Sequence, residues 1–158
     1  MSFLYYVLFA AAVVGLDQYT KYLTLTGIPL HGEVPFIPGF LGFTYVRNYG
    51  AAFSSFQGQQ WLFAVIFALF TAAIIWEYRR NSMGFNRFER WCIAAIYAGG
   101  LGNMIDRIRF GYVVDMIETL FMDVPVFNVA DCFITCGCFA LMFSLFFINK
   151  DFWKEEKK

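Results

Sequence analysis

Within residues 99–131 three aspartates, Asp106, Asp115 and Asp131, lie in or beside strongly apolar sequence, accompanied by Asn103, Arg107 and Asn128. Burying a carboxylate among apolar groups is costly unless it is paired or neutralised. Asp106 has Arg107 beside it. Asp115 sits in Val113-Val114-Asp115-Met116-Ile117, Asp131 enters an apolar run, and neither has an adjacent basic residue. Two carboxylates held close cannot easily both ionise, so one is pushed to a raised pKa and the pair shares a proton. One group is then prepared as a base and the other as an acid. Such a dyad can activate water against an amide carbonyl, with no metal and no covalent intermediate. The Asn and Arg neighbours could orient the dyad or hold substrate carbonyls.

Other polar residues recur at helical spacing. Asp17 and Lys21 are i,i+4 and read most simply as an ion pair closing a helix end. Asn103, Asp106 and Arg107 share one face, and Asn128 and Asp131 are i,i+3. Asp106 beside Arg107 is also open to a structural reading, and Asn48, next to Arg47, to that of a turn residue. Glu118, Asp123 and His31 read as loop residues. A single histidine removes most His-based catalysis and any multi-His metal site. Cys92, Cys132, Cys136 and Cys138 lack paired Cys-x-x-Cys spacing and read as small buried residues. No metal and no cofactor are expected.

These residues need elements to carry them. The 158-residue chain is 59% hydrophobic, 22% aromatic and only 15% charged, with mean hydropathy +0.56. A soluble domain carries roughly 25% charged residues, so an integral membrane protein is expected. A net charge of zero gives no hint of a nucleic-acid partner. Four apolar segments, 3–23, 61–78, 88–108 and 124–148, approach the ~20 residues that cross a bilayer. Glycines and polar residues interrupt the third. The first starts without Lys or Arg and reads as an uncleaved anchor. Arg79, Arg80, Arg87 and Arg90 flank the second connection, and Lys150, Lys154, Lys157 and Lys158 follow the last segment, so eight of the 12 Lys and Arg share one side. By the positive-inside rule that side and both termini are cytoplasmic, and residues 24–60 and 109–123 face outward. Residues 40–46 are aromatic and β-branched, which predicts short strands. No repeat or second domain is visible, so a single membrane-embedded domain is expected over residues 1–158.

Five motifs follow in one order: Asp17-Gln18-Tyr19-Thr20-Lys21, Arg47-Asn48-Tyr49-Gly50-Ala51-Ala52-Phe53, residues 99–107, Val113-Val114-Asp115 and Phe127-Asn128-Val129-Ala130-Asp131. Together they resemble the lipoprotein signal peptidase family, also called signal peptidase II. The resemblance implies an all-α integral membrane protein of four transmembrane helices, with a small extracytoplasmic β-sheet and a mobile outer loop over the active site. It implies a bacterial plasma-membrane aspartic endopeptidase that cuts prolipoproteins before a diacylglyceryl-modified cysteine. Asp115 and Asp131 would be the catalytic dyad. Asn48, Gly50, Asn103, Arg107, Asn128 and Ala130 would bind substrate or brace the dyad, and Asp17, Lys21 and Asp106 would support the site. The partners implied are lipid-modified prolipoproteins and membrane lipids, around a monomer.

Two other classes compete. A proton- or ion-coupled transporter also uses intramembrane carboxylates, but its coupling groups belong near the midplane. Segment 61–78 has almost none at its centre beyond Thr71, and the acids gather at one face. A non-enzymatic assembly factor would need no pair of isolated carboxylates.

Overall fold

The computed structural model describes residues 3–50, 58–149 and 152. In chain order come α1 (Phe3–Gly27), β1 (Glu33–Ile37), β2 (Leu41–Asn48), α2 (Gln60–Arg80), α3 (Arg87–Phe110), β3 (Val113–Thr119) and α4 (Val129–Phe143). A π-helical turn, Ser144–Ile148, continues α4. Residues 51–57, which include the last three of the seven residues of the second motif, and the tail lysines lie outside the described residues.

α1, α2 and α4 are apolar over most of their surface, as lipid-facing helices are. Leu16, Leu69, Ile75 and Phe139 all lie exposed on them. Among the described residues three helices are long and apolar enough to cross a membrane: α1, α2, and α4 with its π turn. The expected third span is the 24-residue α3, roughly 36 Å long. Its charged and polar residues keep it out of that apolar set: Glu89, Asn103 and Asp106 are buried along it, and Arg87, Arg90 and Arg109 are exposed near its two ends. The helix ends follow local chemistry. Asn86 caps α3 in a reciprocal box with Glu89, and Gly111, at φ 77°, stops it in the left-handed conformation. Asn128 caps α4 in the same way with Asp131. That cap corrects the expected span 124–148. The helix begins only at Val129, because Phe127 pairs with Ile117 as an isolated β-bridge.

Close helix packing depends on small residues. A Cβ on Gly99 would collide with the Ala130 carbonyl oxygen, and one on Gly137 would lie 2.8 Å from Ile96. These gaps let α3 and α4 approach, as small residues do between membrane helices.

The strands form one antiparallel sheet in the order β1-β2-β3. Strands were expected at 40–46, and none was expected in the outward segment 109–123. It carries β3, so Asp115 lies on a strand. Between β2 and β3 the register shifts after the Phe43↔Ile117 pair and resumes at Val46↔Asp115. Without that bulge Asp115 would lie opposite Tyr45, and Asn48 would point to the other face of the sheet. With it, Val46, Asn48 and Asp115 share a face.

Candidate active site

At the sheet end of the bundle, the residues singled out in the sequence assemble in two layers. The lower layer is a buried charge cluster. Lys21, 2% exposed, reaches Asp17 Oδ2 at 2.9 Å and Asp106 Oδ2 at 3.0 Å, and donates to Asn103 Oδ1 at 2.9 Å. The expected Asp17–Lys21 pair is present, extended by a third member. Asp106 therefore turns to Lys21 and not to its neighbour Arg107. A single buried cation between two carboxylates makes each of the three costly to remove.

The upper layer holds Asp115 and Asp131. Asp115 accepts from Asn48 Nδ2 at 2.9 Å and from Asn128 Nδ2 at 2.6 Å, one donor on each oxygen. Asp131 accepts from Asn103 Nδ2 at 2.8 Å and from the Asn128 backbone N–H at 3.1 Å. As third residue of α4, Asp131 sits where the N–H groups and dipole of a helix start suit a negative charge. Asp115 is 2% exposed. Burial away from water, and then the facing Asp131 carboxylate, push it up to about 7. One carboxyl is thus prepared to carry a proton near neutrality, with a second carboxyl beside it.

Arg107 lies over the Phe63 ring, 4.2 Å from guanidinium carbon to ring centroid, and donates to the carbonyls of Asn103 at 3.2 Å and Gly50 at 2.9 Å. The Gly50 N–H donates to Asn48 Oδ1 at 3.0 Å. Arg107 and Asn48 thus hold the same residue from opposite sides. Ala130 is fully buried where α4 crosses the glycines of α3, so a larger side chain has no room. Arg47 turns to Tyr45 and Tyr112 instead of the carboxylates. Asp115, Asp131, Arg107 and Asn103 line a cleft of about 1120 Å³ whose other walls include Phe63, Phe67, Ile96 and Ile134. A carboxylate pair at the polar end of a long apolar cleft can act on an amide attached to an apolar chain.

Sequence reading missed several contributors. Gln18 donates to Asp17, to the Gly102 carbonyl and to Asp106; its one signal was an amide next to Asp17 in an apolar run. Phe63 had no signal, being one apolar residue among many. At the opposite end Glu89 is fully buried and accepts from the Asn86 N–H, Ser144 Oγ and Asn149 Nδ2, fastening the start of α3 to the end of α4. Of the cysteines read as buried, only Cys92 is; Cys136 is exposed and Cys132 and Cys136 line the cleft. Glu118 lies on β3 and Asp123 is exposed. Among the described residues no three His, Cys, Asp or Glu are grouped to hold a metal ion.

A helical membrane protein with a carboxylate pair at one end of an apolar cleft defines a class. A sequence model of the family described as Signal peptidase (SPase) II matches residues 9–147. The chain is 42% identical over 151 residues to the lipoprotein signal peptidase of Streptococcus pyogenes serotype M2 (strain MGAS10270), covering 96% of this chain and 94% of that protein. It is 41% identical, with the same coverage, to that of Streptococcus pyogenes serotype M1. A solved structure described as a bacterial membrane enzyme, obtained in meso at 2.3 Å resolution, superposes with a TM-score of 0.87 at 34% identity, covering 99% of this chain and 94% of that one. The chain belongs to the signal peptidase II family and is a peptidase of the membrane.

Proposed function

We propose that the chain is an aspartic endopeptidase that removes the signal peptide from lipid-modified prolipoproteins, cleaving before the diacylglyceryl cysteine. The observation that carries this is the pair Asp115 and Asp131, every oxygen of which accepts from a positioned amide, lining a largely apolar cleft. A substrate with a transmembrane signal helix and acyl chains brings its scissile bond to such a place. The transporter reading has no support from the relatives or from the position of the acids.

In the mechanism proposed, ionised Asp131 takes a proton from a water whose oxygen attacks the scissile carbonyl carbon. Protonated Asp115 gives its proton to the carbonyl oxygen. The tetrahedral intermediate then collapses: the C–N bond breaks, Asp131 returns its proton to the leaving amine, and the hydroxyl proton of the intermediate returns to Asp115. Asn48, Asn103 and Asn128 hold the two carboxyls, and Arg107 and Gly50 form the adjoining wall. α3 also crosses the membrane, making four spans, both termini are cytoplasmic, and the sheet and the dyad lie at the extracytoplasmic face. The purified protein incubated with a diacylglyceryl precursor peptide should release the signal fragment. Intact precursor after prolonged incubation with folded protein would reject the proposal.

A further inference from the structure

The buried charge cluster does more than neutralise itself. Asp17 Oδ1 accepts the backbone N–H of Ala130 at 3.0 Å, and Asp106 Oδ2 accepts that of Val114 at 3.0 Å. Ala130 immediately precedes Asp131, and Val114 immediately precedes Asp115. Each supporting aspartate therefore holds the backbone one residue before a dyad member. Lys21 bridges the two through Asp17 Oδ2 and Asp106 Oδ2. Gly102 makes the α1-to-α4 link possible, since a Cβ there would come within 2.5 Å of Asp17 Oδ2.

The third proton of Lys21 goes to Asn103 Oδ1 at 2.9 Å. An ammonium only donates, so the Asn103 atom facing it must be the oxygen. The Asn103 Nδ2 is thereby turned to Asp131 Oδ1. Asn128 Nδ2, donating to the same Asn103 oxygen at 3.2 Å, requires the same orientation.

We infer that Lys21 is a positioning residue for the dyad, setting the spacing of Asp115 and Asp131 through the Val114 and Ala130 backbone and fixing the Asn103 amide as a donor to Asp131. This role presupposes the dyad proposed above. Lys21 touches neither substrate nor reacting atoms. Lys, with three tetrahedrally disposed donors on a compact charge, matches three acceptors that a planar guanidinium cannot reach together.

The test compares Lys21→Arg, which keeps the charge, and Lys21→Met with the wild type, in cleavage of a diacylglyceryl precursor peptide across a pH series. Asp115→Asn and Asp131→Asn are run beside them. The charged, polar and titratable groups facing the dyad are Asn48, Asn103, Asn128, Arg107 and the Cys132 thiol; those facing Lys21 are Asp17, Asp106 and Asn103. Misplacing a reacting group by about 1 Å can cost about 10²-fold. Lys21→Arg should fold, keep KM and lose about 10²-fold in kcat. The alkaline limb of its kcat profile should move to higher pH, because a freed Asn103 can turn its oxygen to Asp131 and favour a proton on the dyad. Lys21→Met should do the same where it folds, and Lys21→Arg decides where it does not. A wild-type kcat in Lys21→Arg, a fall in kcat with an unshifted pH profile, or failure of Lys21→Arg to fold would each overturn the positioning role. If Asp115→Asn or Asp131→Asn cleaves normally, the dyad reading itself fails.

Discussion

Asn128 donates its side-chain amide to Asp115 Oδ1 at 2.6 Å while its own side-chain oxygen accepts the Asp131 N–H at 3.0 Å. One side chain both starts α4 and holds the far carboxyl. This separates two roles that mutation can distinguish. Asn128→Ser should keep a helix cap, and with it near-normal thermal stability, but lose the amide to Asp115 and most activity. Asn128→Ala should lose both, with about 1 kcal/mol of destabilisation from the lost cap. Melting temperature and cleavage rate of the two variants check this. Equal activity of Asn128→Ser and wild type would detach Asn128 from the site.

The dyad makes the sharpest prediction. Asn keeps the shape of Asp but cannot carry the proton, and general acid–base help is about 10²–10⁴-fold. Asp115→Asn and Asp131→Asn should each lower kcat at least that far, with precursor binding retained. The double variant should be little worse than either, since the pair acts as a unit. Single-turnover cleavage by all three variants measures it, and near-normal turnover by either single variant would exclude the pair.

The pH dependence follows from Asp115, which burial and Asp131 push up to about 7. As the acid it must be protonated, so kcat should be held below that value and decline as pH rises through it. In Asp131→Glu, whose longer side chain changes the spacing, that alkaline limb should move. A kcat flat from pH 6 to pH 9 would assign the acid elsewhere.

Topology is open to chemical labelling. In a background lacking native cysteines, Glu33→Cys, Met83→Cys and Lys157→Cys are treated in intact cells with an impermeant thiol reagent. Glu33 and Met83 are exposed in the fold. Only Glu33→Cys should react. Reaction at Met83→Cys would invert the orientation and put the dyad on the cytoplasmic side.

Thiols should be dispensable. Replacing the four cysteines by Ala or Ser should leave activity within a few-fold of wild type if the fold is kept, although Cys132 and Cys136 line the cleft. Among the described residues neither thiol makes a hydrogen bond to Asp115 or Asp131, whose oxygens accept from amides instead. Loss of cleavage in the folded cysteine-free protein would give a thiol a part in the reaction.

The sequence by itself determined the membrane character, the four helical segments and the residues gathered at one end. These are properties of composition and of local spacing. An apolar run of about 20 residues has few alternatives to a helix in lipid, and an isolated Asp in such sequence has few uses. The capping boxes at Asn86 and Asn128 were equally local, being Asn with an acid three residues on. Only the tertiary structure decided the partners. Asp106 stands next to Arg107 in sequence, yet pairs with Lys21, 85 residues away, because α1 and α3 pack there with Gly102 leaving room. Asp115 looked like a loop residue because a strand that ends a sheet is recognised by what it pairs with. Its facing toward Asn48 depends on a one-residue bulge in β2, and strand register is set by long-range pairing that no local pattern encodes.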